Sequence, residues 1–221
     1  RLRHPAQGEP VTFHMRHRWN GELTHSDNGY TLMFDTPNGA HSTQAQAVLL
    51  ALGGGSWAKL GSDGAWQPWL RALGVEAAPL RPSNCGFDVQ GGWTPHLREK
   101  FAGTPIKGAV LSFEGFARKG EFVLTATGIE GSLVYAASAL LRDAIARDGQ
   151  ATLHIDLKPE LSSERVLADV SHPRGSRSWS SHLKSRLNLS PVHLALLHEA
   201  LSKNAMNDPA QIATAIKALP L

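Results

Sequence analysis

The chain has 221 residues and a mass of 23.8 kDa, which is enough for one or two domains with a sizeable core. Apolar residues make up 42% of the composition, charged residues 19%, and the net charge is +3. These values exclude a disordered tail and fall short of the strongly basic composition of a nucleic-acid-binding domain.

The first third of the chain has the pattern of short antiparallel strands. Residues 11–17 alternate apolar and polar side chains, which predicts a strand, and residues 30–34 predict another. Three turn signals separate such strands: Asn20-Gly21, Asp27-Asn28-Gly29 and Pro37-Asn38-Gly39. Residues 47–52 are apolar on both faces and predict a strand buried in the middle of a sheet. This run is too short to span a membrane.

The remainder of the chain predicts strands followed by helices. A short helix is expected over residues 67–73, and strands over residues 106–113 and 121–126. Residues 131–147 predict a helix that buries one stripe: Leu133, Ala137, Leu140, Leu141 and Ala144. After a strand at 150–157, the pattern is helical, with helix starts at Ser190-Pro191 and Asp208-Pro209.

Five glycines occur in residues 53–64, which we call the glycine loop. Gly53, Gly55 and Ala58 match the G-x-G-x-x-A pattern of dinucleotide-binding folds, and Glu76 follows at about the expected distance. That pattern requires a helix that begins inside the glycine run, whereas residues 59–64 predict a poor helix. We therefore interpret the segment as a loop whose bare backbone faces a ligand. A tight turn after a core strand is the alternative.

The titratable residues do not point to a metal site or a nucleophile. His14 and His17 are three apart in a predicted strand, so we expect them to face opposite ways. The single cysteine, Cys85, excludes a disulfide scaffold and is typical of a reducing, cytoplasmic compartment. We interpret it as an inert thiol, with a thiolate stabilised by Arg81 as the alternative. No catalytic side chain is assigned.

The predicted helical region carries five basic residues: Arg165, Arg174, Arg177, Lys184 and Arg186. Glu164 and Asp169 dilute this charge, so a solvated helical face is one interpretation. A surface for an anionic partner such as RNA is the other, because such interfaces need only a local basic cluster.

Three strings resemble segments of a known family. Residues 48–64, VLLALGGGSWAKLGSDG, resemble the ATGG-x-S-x-x-x-LGS-x-G segment of bacterial FAD-dependent oxidoreductases, the aminoacetone-oxidase or BaiN-like flavoproteins. Residues 123–131, VLTATGIEG, resemble that family's FTH-x-GISGP junction, and Arg81-Pro82 fits the RP segment that enters its inserted domain. The order and spacing agree over residues 1–160. Leu52 and Glu130 depart from the family pattern and suggest a subfamily.

The resemblance implies a mixed α+β fold. A partial Rossmann-like FAD-domain sheet with a β-meander would occupy residues 1–80, followed by an inserted small β-barrel at 81–159 and a helical subdomain at 160–221. The chain would then be the central fragment of an FAD-dependent oxidoreductase, with NAD(P)H as a candidate electron donor. The fragment would lack the loop that grips the FAD pyrophosphate, so we expect it to be inactive and free of flavin. Exposed sheet edges would favour oligomers.

The resemblance also implies roles for individual residues. The backbone of Gly53 and Gly54 would lie beside the FAD, and the nearby loop would be shaped by Gly55, Ser56, Gly61 and Asp63. Trp19 matches the position whose backbone meets the adenine. The insertion would turn one segment toward the substrate side of the flavin: Gly128, Ile129, Glu130 and Gly131. Flavin chemistry belongs to the cofactor, so no side chain has to act as a nucleophile.

Overall fold

A computed structural model describes residue 3 and residues 8–221 of the chain. The chain divides into two units, one that ends at Arg81 and one that runs from Pro82 to Leu221. The described residues form two antiparallel sheets and seven α-helices, which confirms the mixed α+β class. The division of the chain into three parts stays a prediction.

The first unit is built on a three-stranded antiparallel meander followed by one helix. Its elements are β1 (Arg18–Ser26), β2 (Gly29–Thr36), β3 (Gly39–Ala45) and α1 (Trp66–Ala72). The turns at residues 27–28 and 37–38 are confirmed, as is the helix. The predicted turn at Asn20-Gly21 is wrong, because both residues lie inside β1, where the register shifts between Trp19 and Leu23.

Gly21 lies at this irregularity because α1 comes close to the strand. A Cβ atom at Gly21 would lie 2.5 Å from Cγ of Trp69, so only glycine leaves room for that indole ring. The ring of Trp69 in turn meets Trp19 edge to face, with centroids 5.4 Å apart. The two tryptophans thereby join the sheet to the helix within this unit.

Two predicted strands of the first unit are wrong. Residues 11–17 form no strand, and Arg16 has a φ of +59°, which interrupts an extended chain. Residues 47–52 also form no strand, and the side chain of Leu49 is 92% exposed. No strand among the described residues lies beside this apolar run, so its backbone lacks the hydrogen-bond partners that a buried strand requires.

The second unit contains a six-stranded antiparallel sheet in the order β4-β7-β6-β5-β8-β9. These strands are β4 (Phe87–Asp88), β5 (Pro105–Phe113), β6 (Phe116–Leu124), β7 (Gly128–Glu130), β8 (His154–Asp156) and β9 (Leu219–Pro220). The last strand returns to pair with β8, so the end of the described chain closes back on the sheet. The long hairpin β5–β6 is its centre. The sequence predicted strands at residues 106–113 and 121–126; the first is confirmed, and the second begins earlier, at Phe116.

The helices of this unit pack with the sheet in one hydrophobic core. They are α2 (Pro95–Phe101), α3 (Ser132–Asp148), α4 (Ser163–Ser171), α5 (Trp179–Leu187), α6 (Pro191–Ala200) and α7 (Pro209–Lys217). The predicted buried stripe of α3 is confirmed except at Leu140, which is 42% exposed, while Val134 is buried instead. None of the helices in the described residues is long and apolar enough to cross a membrane.

The start of α6 contains a partly buried histidine contact. Ser190 is the N-cap, as predicted, and its backbone N–H donates to Nδ1 of His193 at 3.2 Å. Burial, together with the charge of Lys158, lowers the pKa of His193 below its ordinary value. The neutral ring is therefore the form that accepts this hydrogen bond and belongs to the folded state.

Candidate functional site

The glycine loop folds on its own backbone without forming a helix of phosphate-binding length. Trp57 and Ser62 form an antiparallel bridge, with their two N–H···O bonds at 3.0 and 3.1 Å. Between them, Ala58–Leu60 makes a single 3-10 turn. The N–H of Gly64 donates to Gly54 O at 3.1 Å and closes the base of the loop. A turn this short does not present the row of free N–H groups that grips a pyrophosphate.

The glycines of the loop divide into two kinds. A Cβ atom at Gly55 would lie 2.7 Å from Cδ1 of Leu80, and one at Gly64 would lie 3.2 Å from the same atom, so these two glycines make room for Leu80. A Cβ atom at Gly53 or Gly54 would meet only Ser62 Oγ, at 3.7 Å. The backbone at Gly53 and Gly54 is therefore open to a ligand.

Asp63 fixes the end of the glycine loop. Its Oδ1 accepts the N–H of Ala65 at 3.0 Å, and its Oδ2 accepts from the Arg18 guanidinium at 2.8 Å. The hydrogen bond from Ala65 and the positive charge of Arg18 lower the pKa of Asp63, so the carboxylate is ionised at neutral pH. Because Arg18 belongs to β1, this pair joins the loop to the meander of the same unit.

The other predicted contact residues of the first unit differ in exposure. Ser56 and Gly61 are exposed, and nothing lies within 4 Å of a Cβ atom placed at Gly61. Trp57 is 62% exposed, so its indole is accessible. Trp19 is only 6% exposed, and its Nε1 donates to Glu22 O at 2.8 Å. Its side chain is a core group, and the adenine contact of its backbone stays a prediction.

The predicted substrate-side segment forms β7 and the start of α3 in the second unit. Gly128 is buried, and the side chain of Ile129 is 3% exposed and belongs to the core. Glu130 is exposed, whereas Gly131 is the N-cap of α3 with a φ of +108°. Glu130 is therefore the side chain of this segment that can meet a ligand.

The histidines near β1 lie closer together than strand geometry predicted. The ring of His17 is 5.3 Å from that of His14 and 5.3 Å from that of His41, measured between centroids. The turn at Arg16 brings them together, because residues 11–17 are not a strand. No group of three or more His, Cys, Asp or Glu in the described part of the chain is arranged to hold a metal ion.

A buried carboxylate pairs with some of the five basic residues of the helical region and not with the others. Asp169 is 5% exposed and accepts from Arg165 Nε at 2.7 Å, and Arg186 lies 3.4 Å away. The hydrogen bond from Arg165 lowers the pKa of Asp169, and both guanidinium charges act in the same direction. The guanidinium of Arg174 instead lies 4.9 Å from the ring centroid of Trp179. Two of the five predicted cations thus serve an internal ion pair.

Sequence reasoning missed two features of this geometry. Leu80, which fills the space beside Gly55 and Gly64, carries no signal in a sequence pattern because its contact is made 25 residues along the chain from Gly55. The indole N–H of Trp66, which follows the loop at the start of α1, is buried without a hydrogen-bond partner. A buried N–H without an acceptor is uncommon.

The two units together define a mixed α+β protein in which a barrel-type sheet and its helices follow a glycine-rich loop. Residues 81–221, almost two thirds of the chain, match the family model described as the HI0933-like protein barrel and H2TH domain. The chain therefore belongs to the HI0933-like family. This family is associated with FAD-dependent oxidoreductases. No curated protein matches the chain.

Proposed function

We propose that this chain is the part of an FAD-dependent oxidoreductase in which the glycine loop lies against the flavin nucleotide. The observation that carries the proposal is the open backbone at Gly53 and Gly54, where a Cβ atom would meet only Ser62 Oγ at 3.7 Å. Bound FAD would supply the electron-transfer chemistry, and this chain would supply shape and position. The finer assignment to aminoacetone-oxidase or BaiN-like enzymes, and NAD(P)H as the electron donor, belong to the same proposal.

The loop suits a contact with the cofactor better than a grip on its phosphates. Its one 3-10 turn is too short to act as a helix N-terminus, so it offers no row of free N–H groups to a phosphate. The main phosphate contacts are therefore proposed to come from polypeptide outside these residues. Glu130 is the proposed contact on the substrate side, because its side chain is the exposed one in that segment.

The apolar run before the loop supports the same proposal. Residues 47–52 carry almost only aliphatic side chains, and the exposure alternates along them, as it does in an extended chain. The side chain of Leu49 is 92% exposed, which is uncommon for a leucine in a folded domain. We propose that this exposed apolar run becomes buried against polypeptide of the FAD domain that lies outside these residues.

The experiment compares Gly54→Ala with the unchanged protein, expressed from its full reading frame. Gly54 does not have a positive φ, so alanine adds a methyl group without backbone strain. We expect the flavin content, read from absorbance near 450 nm, to fall severalfold while the melting temperature of the flavin-free protein stays the same. Ser42→Thr, which adds a methyl group on the exposed strand β3, is the matched control and should retain flavin.

The 221-residue chain alone provides the second arm. We expect it to be purified colourless, because the loop lacks a phosphate-gripping helix start. Full flavin retention by Gly54→Ala would contradict the proposed position of the loop. A full-reading-frame protein that never binds flavin would contradict the oxidoreductase itself.

A second candidate function is a binding module for an anionic partner such as RNA. The specific observation is that no Asp or Glu occurs between Asp169 and Glu199, a stretch that contains Arg174, Arg177 and Lys184. The exposed Arg174 on the Trp179 ring is a combination that can stack a base and contact a phosphate. This role is compatible with a flavin enzyme, since the helices could present such a partner.

A further inference from the structure

The second unit contains a cavity whose lining includes Ile129 but not Glu130, the residue that the flavin proposal uses on the substrate side. It has a volume of about 560 Å³ and lies between β4, the end of α3, the end of α6 and the last residues of the chain. This volume is within the range of small-molecule sites. All of its walls belong to the unit that ends at Leu221.

The inner wall of the cavity is apolar and well ordered by its packing. Trp93 is 6% exposed, Ile129 is 3% exposed and Leu141 is 2% exposed, and all three line the cavity. The indole N–H of Trp93 donates to Gly128 O at 3.3 Å, which holds the ring in place. A hydrophobic group of one or two rings would bury its surface against this wall.

Two carboxylates line the same cavity. Asp88 accepts a hydrogen bond from the hydroxyl of Thr127. Glu199 accepts from the hydroxyl of Thr94, and its second oxygen accepts the N–H of Thr94 at 3.1 Å. Because a carboxylate can accept about four hydrogen bonds, each group keeps lone pairs for a ligand while its threonine holds it in position.

The charge of this cavity is opposite to that of the chain. None of the described residues that line it is Lys, Arg or His, so its two charged groups are both negative. The chain as a whole has a net charge of +3. Asp88 is exposed and Glu199 is half-buried, so both carboxylates lie where the cavity meets solvent. A cation would be favoured there, and an anion would be repelled.

We propose that this cavity binds an organic cation, a primary ammonium attached to an apolar body. The ammonium has three N–H donors for Asp88 and Glu199, and the apolar body would pack on Trp93, Ile129 and Leu141. The site requires no flavin, because every group in it belongs to the second unit.

The test measures binding of 2-phenylethylamine to the purified flavin-free protein by calorimetry and by NMR of the indole N–H of Trp93. Phenylethanol and 3-phenylpropanoate serve as neutral and anionic probes of similar size. We expect saturable binding of the amine, a shift of the Trp93 signal, and binding of the other two that is at least about tenfold weaker. Asp88→Asn and Glu199→Gln should each weaken the amine by about tenfold.

Two controls keep the outcome interpretable. Glu121→Gln removes an exposed carboxylate of β6 outside the cavity and should leave binding unchanged. Asp88→Asn retains an oxygen that accepts the Thr127 hydroxyl, so it serves as the main variant if Glu199→Gln loosens the start of α2. Equal binding of the three probes, unchanged binding in Asp88→Asn, or no saturable binding would each overturn the proposal. Flavin content does not enter these readouts, so the flavin proposal can fail independently.

Discussion

Replacing Gly128 by alanine should separate two strands of the six-stranded sheet. A Cβ atom at this position would lie 1.9 Å from Phe87 O and 2.7 Å from Asp88 Cα. Both are backbone atoms, so no side-chain rotation can relieve the clash. Strand β4 would have to move by about 1 Å to restore the 3.0 Å separation that real Cβ atoms keep.

The cost follows from the hydrogen bonds that this movement disturbs. Gly128 pairs with Asp88 in the β4–β7 ladder, and Gly128 O accepts from Trp93 Nε1 at 3.3 Å. The N–H of Val89 donates to Thr127 O at 2.9 Å across the same junction. At a net value of about 1 kcal/mol for each hydrogen bond, the loss of three lowers the free energy of unfolding by about 3 kcal/mol. Overpacking of a well-filled site has a similar cost, about 1–3 kcal/mol.

The assay is a series of three glycine-to-alanine variants, followed by urea denaturation and by hydrogen exchange of the peptides that cover β4 and β7. At Gly54 the new methyl group has space and no strain, so stability should change little. At Gly92 the space is open but φ is +71°, so strain alone should cost about 1 kcal/mol. If Gly128→Ala costs no more than Gly92→Ala, the argument from the close approach of β4 is refuted.

Two further predictions concern titration and charge. His193 has a lowered pKa in the folded state, so the unfolded state takes up its proton first; stability should be complete above about pH 6.5 and should fall as the pH drops below it. Melting temperatures between pH 7.5 and 5.5 should decline less in His193→Gln than in the exposed control His198→Gln, and equal slopes would contradict the assignment. If the helical region binds RNA, the double variant of Arg174 and Arg177 to Gln should weaken binding and reduce its salt dependence, whereas Arg118→Gln on the exposed face of β6 should not. Salt-independent binding, or none at low salt, would remove this function.

Local signals predicted the elements that depend on neighbouring residues. The turns at residues 27–28 and 37–38 and the helix starts at Ser190 and Asp208 were all found where short-range turn and capping chemistry placed them. The family resemblance predicted a barrel, and the family model that matches the chain names one, while the division at residues 81–159 and 160–221 stays a prediction. The strand over residues 47–52 failed, because a pattern specifies which residues can be buried but not whether a partner strand is present.

What the sequence determined by itself was an antiparallel meander, a strand over residues 106–113, the helix α3 and a glycine-rich loop, since each arises from short-range periodicity, turn preference or composition. Only the tertiary structure decided the role of each glycine. Gly55 and Gly64 make room for Leu80, Gly128 allows the backbone of β4 to approach closely, and the backbone at Gly54 is left accessible. It also brought Asp88 and Glu199 to one cavity, although they are far apart in the chain. The physical reason is that tertiary packing decides how much space surrounds a Cα atom and which distant carboxylates come together. Packing of this kind produces no periodic pattern in the sequence.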